Sequence, residues 1–170
     1  MARQEFTDAI ALLKADHRKV EDLFAQFEKA RDGRAKQKIC HQICIELKIH
    51  TTIEEEIFYP ALRGKIEDDT LDEAFVEHDG AKVLVNDLEA ASPNADFYDA
   101  KVKVLSEEIK HHVKEEEMPK EGMFAQARES GVDLVELRDR MLERKQQLMA
   151  QAEASGLPLA KPSVVNLVTA

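Results

Sequence analysis

Four histidines are spaced along the chain so that each consecutive pair is centred on a turn signal. His17 and His50 have their midpoint between residues 33 and 34, at Gly33. His50 and His78 have theirs at residue 64, which is Gly64, and His78 and His112 at residue 95, beside Pro93-Asn94. Each histidine also lies in an apolar stripe with steps of three and four, the period of a buried helix face. His17 fills the gap in Phe6, Ile10, Leu13, Val20, Phe24, Phe27. Ile39, Ile43 and Leu47 lead into His50, Glu54 and Ile57. His78 sits within Leu71, Phe75, Ala81, Val85, Leu88, and Val102, Leu105 and Ile109 lead to His112 and Glu116. Helices joined by short turns pack antiparallel, and residues equally far from a turn then share one height. The pattern predicts an all-α fold, an up-down-up-down antiparallel four-helix bundle with four imidazoles at one level of its core.

The first helix is expected from about Thr7 to Ala30, with Gly33 as its C-cap. The second should run from about Ala35 to Leu62, bent near its end by Pro60. Thr70-Leu71-Asp72-Glu73 reads as a capping box opening the third. The fourth should run from about Ala95 into the 120s, with a kink at Pro119. Asp133, with Glu136 three residues on and a Val132/Leu137 staple, opens an additional C-terminal helix to about Ala154. Val135, Leu142 and Met149 are its expected docking residues. The expected organisation is one bundle with its C-terminal helix over residues 1–154 and an apolar tail over 155–170 that packs along it.

Composition limits the function classes. A net charge of -10 disfavours phosphate backbones, so no nucleic-acid partner is expected. No apolar run reaches a membrane span and Met1–Thr7 has no signal core, so no membrane partner is expected either. Cys40 and Cys44 stand one turn apart on a predicted helix, which suits a disulfide poorly. A reducing cytoplasm is the expected location.

His50-x-x-x-Glu54 and His112-x-x-x-Glu116 each place an imidazole and a carboxylate one helical turn apart, about 6 Å of rise, on one face. With His17 and His78 they make a six-residue candidate metal site: His17, His50, Glu54, His78, His112 and Glu116. A single inward histidine is more often an ordinary hydrogen-bonded core residue. Four at one height beside two buried carboxylates, which are costly without a partner or a metal, favour metal binding. His111 with Glu115 offers the same spacing as His112 with Glu116, but falls off the apolar stripe. His41 is about 180° round the helix from His50 and should face solvent. Glu55, Glu56, Glu115 and Glu117 are expected to be solvated or to support the ligands from behind. Imidazoles and carboxylates without thiolates suit Fe, Mn or Zn. Six donors exceed one tetrahedral zinc and fit two octahedral ions bridged by the glutamates. A ferritin-like site would need Glu-x-x-His on two helices, and Glu108-Ile109-Lys110-His111 supplies it once.

These residues resemble the hemerythrin-like, HHE cation-binding family. The resemblance rests on His17, His50-x-x-x-Glu54, His78 and His112-x-x-x-Glu116. It extends to Glu-Glu-x-x-Phe-Tyr-Pro after His50, Glu77-His78, and the run from Ala127 to Leu134, and covers roughly residues 7 to 152. It implies a non-haem, oxo- or hydroxo-bridged site of two Fe ions, ahead of Zn or Mn. The implied function is binding or turnover of a small ligand such as dioxygen, hydrogen peroxide or nitric oxide, peroxide decomposition in oxidative stress being one form. The alternative is iron, oxygen or redox sensing, or a metal-responsive interaction module without turnover, so the resemblance does not decide whether the chain is an enzyme. Oxygen-carrying members are expected to have a second histidine one turn after His78, where this chain has Lys82. One terminal imidazole is thus missing, which favours reactivity or sensing over simple oxygen carriage.

Overall fold

The computed structural model describes residues 6–168. The reading of Met1–Glu5 as lacking a signal core, like the two ends of the expected 1–154 and 155–170 division, lies outside them. Among the described residues all regular secondary structure is helical: α1 (Ala9–Lys29), α2 (Gly33–Ile53), a π-helical turn (Glu54–Phe58), α3 (Tyr59–Leu62), α4 (Asp68–Ala90), α5 (Tyr98–Glu117), α6 (Met123–Glu129) and α7 (Leu134–Ser155). α1, α2 with its continuation, α4 and α5 form the four-helix bundle, each packed on its neighbours around the ring, and α7 is the additional C-terminal helix against α1, α2 and the π turn.

Helix ends follow local chemistry. The Asp8 carboxylate accepts from the Ala11 amide at 2.8 Å and Asp32 from that of Ala35 at 3.1 Å, satisfying donors with no partner inside the helix. Gly33 is therefore the first residue of α2, not the cap of α1. α4 begins at Asp68, ahead of the expected Thr70 cap. α5 begins at Tyr98, after Phe97 in a left-handed conformation. It stops at Glu117 rather than kinking at Pro119. The turn beyond it presses Gly122 onto the backbone of Met118, where a Cβ would come within 2.5 Å of the carbonyl oxygen, so only glycine fits. That turn delivers α6, a helix the sequence pattern does not announce.

Two apolar clusters fill the interior. One holds Leu13, Ile49, Ile53, Phe58, Met123 and Phe124. The other holds Val20, Phe24, Leu47, Val85, Leu105 and Ile109. The predicted histidine level lies between them: His17 separates Leu13 from Val20, and His50 separates Leu47 from Ile53. α7 docks through Leu137, Met141 and Leu148, while Val135 and Met149 are exposed. Of the three expected docking residues Leu142 does pack against the core, partly buried, so the docking face is shifted from the expected one only in part. Arg144 also reaches Glu56 on the π turn with bonds of 2.6 and 3.0 Å. No helix of the structure is long and apolar enough to cross a membrane. Both cysteine thiols are free and buried.

Candidate metal centre

His17, His50, Glu54, His78, His112 and Glu116 are all buried, and Glu54 is fully so. They meet as two groups that share a carboxylate. One set of donor atoms comes from His17, His50, Glu54 and Glu116, the other from Glu54, His78 and His112, each within 4.8 Å of one another. Glu54 Oε2 stands 3.2 Å from both His50 Nε2 and His78 Nε2. Glu116 reaches His17 Nε2 at 3.3 Å with one oxygen and His112 Nε2 at 3.5 Å with the other. The imidazoles pair accordingly, with ring centroids 4.9 Å apart for His17 and His50 and 4.7 Å for His78 and His112. His111 faces outward, as does His41.

Each Nε2 points inward because each Nδ1 faces a carboxylate from the next helix. Asp16 of α1 lies 3.5 Å from His50 Nδ1. Glu55 lies 2.9 Å from that of His78, Glu77 of α4 2.5 Å from that of His112, and Glu117 of α5 2.7 Å from that of His17. The links close a ring through α1, α2 with its π turn, α4 and α5. A carboxylate behind an imidazole fixes its tautomer and orientation toward a metal. Glu55 and Glu117 are among the carboxylates expected from sequence to support the ligands; Asp16 and Glu77 join them only in the structure. A signal was present: Asp16 and Glu77 directly precede His17 and His78, as Glu55 and Glu117 directly follow Glu54 and Glu116.

Tyr59 is the residue the sequence reading quoted without giving it a place. Its hydroxyl donates to Glu116 Oε1 at 2.8 Å and to Glu54 Oε2 at 3.2 Å. It also lies 3.2 Å from His78 Nε2 and 3.5 Å from His112 Nε2. On a regular helix Tyr59 would sit about 140° from Glu54. In the π turn, which closes i to i+5, the Tyr59 amide bonds to the Glu54 carbonyl and the ring swings back over the site. Pro60 explains why the turn falls here: it has no amide hydrogen for an i−4 bond, and its ring crowds that carbonyl. Lys82, at the position of the missing imidazole, turns away. Its ammonium is held by Glu55, Asp79 and Ser163 at 2.8–3.1 Å.

The electrostatics are those of a site that wants positive charge. Burial opposes a proton on His17, yet Glu116 and Glu117 raise its pKa to about 10. Glu54 and Glu55 likewise overcome burial at His78 and raise it to about 9. Burial pushes Glu116 up, but His112 and His17 outweigh it and hold the carboxyl below the usual range. Burial, then Glu116 and Glu54, raise the Tyr59 phenol well above its ordinary value. Even so, His17 Nε2, both ring nitrogens of His50, Glu54 Oε1 and Glu116 Oε2 are buried without a hydrogen-bond partner. Buried imidazole nitrogens and carboxylate oxygens facing one another across a dry core, with no partner in hydrogen-bond geometry, are a set that a cation would satisfy, and their N/O chemistry fits iron, manganese or zinc alike. The free space beside them is about 10 Å³, walled by Val20, Leu47, Ile109 and Val113 among others, room for about one water.

Fold and site together define a histidine–carboxylate cation-binding helical bundle. The family described as Hemerythrin HHE cation binding domain matches residues 8–126. The chain belongs to this hemerythrin HHE cation-binding family. A crystal structure of a hemerythrin HHE cation binding domain-containing protein from Mycobacterium kansasii is similar over 89% of this chain and 95% of that one. The two share 22% sequence identity at a TM-score of 0.72, so this likeness concerns the fold. A protein from Nostoc sp. named DNA nickase is 30% identical over 106 residues, which cover 62% of this chain. The chain spans only 30% of the length of that relative.

Proposed function

We propose that the chain is a non-haem diiron protein of the cytoplasm that binds or reduces a small oxidant. His17 and His50 would hold one ion and His78 and His112 the other, with Glu54 and Glu116 shared between them. The sharing of Glu54 between the two donor groups carries this reading, because one carboxylate serving two imidazole pairs is the arrangement of a bridged pair of ions. Bound iron would supply redox chemistry toward dioxygen, hydrogen peroxide or nitric oxide. The chain's own residues orient the imidazoles from behind, exclude bulk water with the two apolar clusters, and keep one proton, on Tyr59 Oη, at the centre. The narrow, apolar-walled free space favours small ligands. The net charge of -10 argues against a DNA substrate of the kind the Nostoc protein's name implies.

Metal analysis and an optical spectrum of the protein as purified test this directly. About two irons per chain, by the octahedral count above, with near-ultraviolet oxo-to-iron absorption, are expected. His50→Ala and Glu54→Ala should empty the site, and His41→Ala should leave it full. An emptied His41→Ala protein, or wild type holding redox-inert zinc, would sink the reading.

One observation favours the sensing alternative. The non-helical segment after α7, residues 156–168, forms a C-terminal strap that touches the site's support through Ser163 Oγ, which bonds Glu55, the carboxylate behind His78. If the chain is a metal-responsive module, amide exchange at residues 158–165 should slow sharply on metal binding, and peroxide should not be turned over repeatedly.

A further inference from the structure

Four carboxylates stand behind the four imidazoles, and three of them are matched by a cationic side chain. Asp16 pairs with Lys145, Glu55 with Lys82, and Glu117 with Arg18. Glu77 is the exception: among the described residues no Lys or Arg lies within ion-pair distance of it. Its Oε2 holds His112 Nδ1, and its Oε1 faces His111 Nε2 at 3.4 Å. His111 Nε2 is in turn 3.1 Å from Glu115 Oε1. Donor atoms of Glu77, His111 and Glu115 all lie within 4.8 Å of one another, on the facing helices α4 and α5. The doubled motif His111-His112 and Glu115-Glu116 is thereby divided: the inner copy faces the bundle core and the outer copy faces solvent.

Glu77 and Glu115 of this outer cluster line a cavity of about 170 Å³ whose walls also include Glu73, His112, Glu116 and Glu121, with His111 beside it. This cavity therefore touches both sets of residues. Glu116 is 2% exposed, and its Oε2 turns away to His17 Nε2 at 3.3 Å, so this residue links the cavity to the inner site. Four carboxylates nearer the surface, Glu73, Glu77, Glu115 and Glu121, with the buried Glu116 behind them, concentrate cations from solution.

We propose that Glu77, His111 and Glu115 form a third, solvent-facing divalent-cation site that takes up Fe²⁺ and passes it along the acidic cavity to the inner site. The chemistry is ligand exchange only: the ion keeps its charge and trades waters and outer donors for inner ones. Oxygen and imidazole donors on a partly exposed surface bind such ions weakly and release them readily. Glu77 is common to both ends of the route, holding the outer ion with one oxygen and orienting His112 with the other. The loading role rests on the diiron reading of the inner site, whereas the outer site itself does not.

The test uses full-length protein stripped of metal, wild type against His111→Ala/Glu115→Gln. Both substituted side chains are on the surface, at 62% and 37% exposure, so the fold is retained. Mn²⁺ titration followed by electron paramagnetic resonance should find one weak site in wild type, beyond any tight ones, that the variant lacks. Anaerobic Fe²⁺ uptake by stopped flow should be about tenfold slower in the variant, the lower end of electrostatic focusing, with the same final iron content. Equal Mn²⁺ stoichiometry would overturn the outer site, and equal uptake rates its loading role. Failure of wild type to take up iron tightly would instead remove the diiron reading and leave the Mn²⁺ comparison to decide the outer site.

Discussion

Tyr59 joins the candidate ligands of both halves of the site through one side chain. Its hydroxyl reaches both shared carboxylates and the two imidazoles on the side where Lys82 replaces an expected ligand. Tyr59→Phe leaves the ring packing against Phe75 and His78 intact and removes only the donor. In the metal-free protein two buried carboxylates then lose a hydrogen bond. Stability should fall by about 1–3 kcal/mol, read from urea unfolding at neutral pH. A loss under about 0.5 kcal/mol, the floor for a typical hydrogen bond, would mean that the hydroxyl does not support the carboxylates. The six ligand candidates were legible because helical period fixes a face and turn positions fix a height. Tyr59 is not legible in the same way, because the π turn at Glu54–Phe58 breaks the helical period just before it.

Helices and their connections decide what surrounds the centre. The strap after α7 is fastened along α4 rather than merely lying on it. The amides of Ser163, Val164 and Val165 all donate to the buried Asp79 carboxylate at 2.7–2.8 Å. Asn86 exchanges two hydrogen bonds with Ala160, and Lys48 donates to the Pro158 carbonyl. The first effect on Asp79 is burial, which raises its pKa, but the three amides and Lys82 bring it below the ordinary value. A depressed folded pKa means stability that is present above the unfolded value near 3.8 and is lost as pH falls through the folded one. Asp79→Ala should cost about 1.5–3 kcal/mol, the range for bonds to a charged acceptor, and should speed amide exchange at residues 163–165. Unchanged exchange there would show that the strap is held by something else. The apolar tail composition suggested contact with the bundle, but the clamp itself depends on a buried aspartate that in sequence looks like any solvated helix residue.

Across the whole molecule, metal occupancy should set stability. An ion present at about 100 times its Kd adds about 2.7 kcal/mol. For a chain of this size that corresponds to about 5–10 °C in Tm per ion. Chelation should reverse the shift in differential scanning, and no change on chelation would argue against a buried metal. The pH dependence has a definite sign. In the metal-free protein His17 and His78 have pKa values raised to about 10 and about 9, so the stability they contribute is full below their unfolded value of 6.5 and is lost as pH rises through 9 to 10. Metal must displace those protons. Binding at pH 8 should therefore release one proton from each of these two residues, and the metal-induced rise in Tm should shrink as pH falls.

Much of this protein is decided by spacing. Equal distances of His17, His50, His78 and His112 from glycine and proline turn signals, within stripes of period three and four, are enough for the bundle, its antiparallel order and the level of the site. They work because a helix has a fixed rise and a fixed rotation per residue. Other features depend on groups far apart in sequence and on departures from that regularity. The ring of carboxylates behind the imidazoles crosses every interface of the four helices. The π turn before Pro60 re-aims Tyr59. The Asp79 clamp joins α4 to a strap about 85 residues on, a separation that follows directly from the 79-to-164 numbering. The absence of a cation beside Glu77 is visible only once the other three corners are seen to have one. Local periodicity cannot encode these, because each is a relation between side chains that only packing brings within a few ångströms.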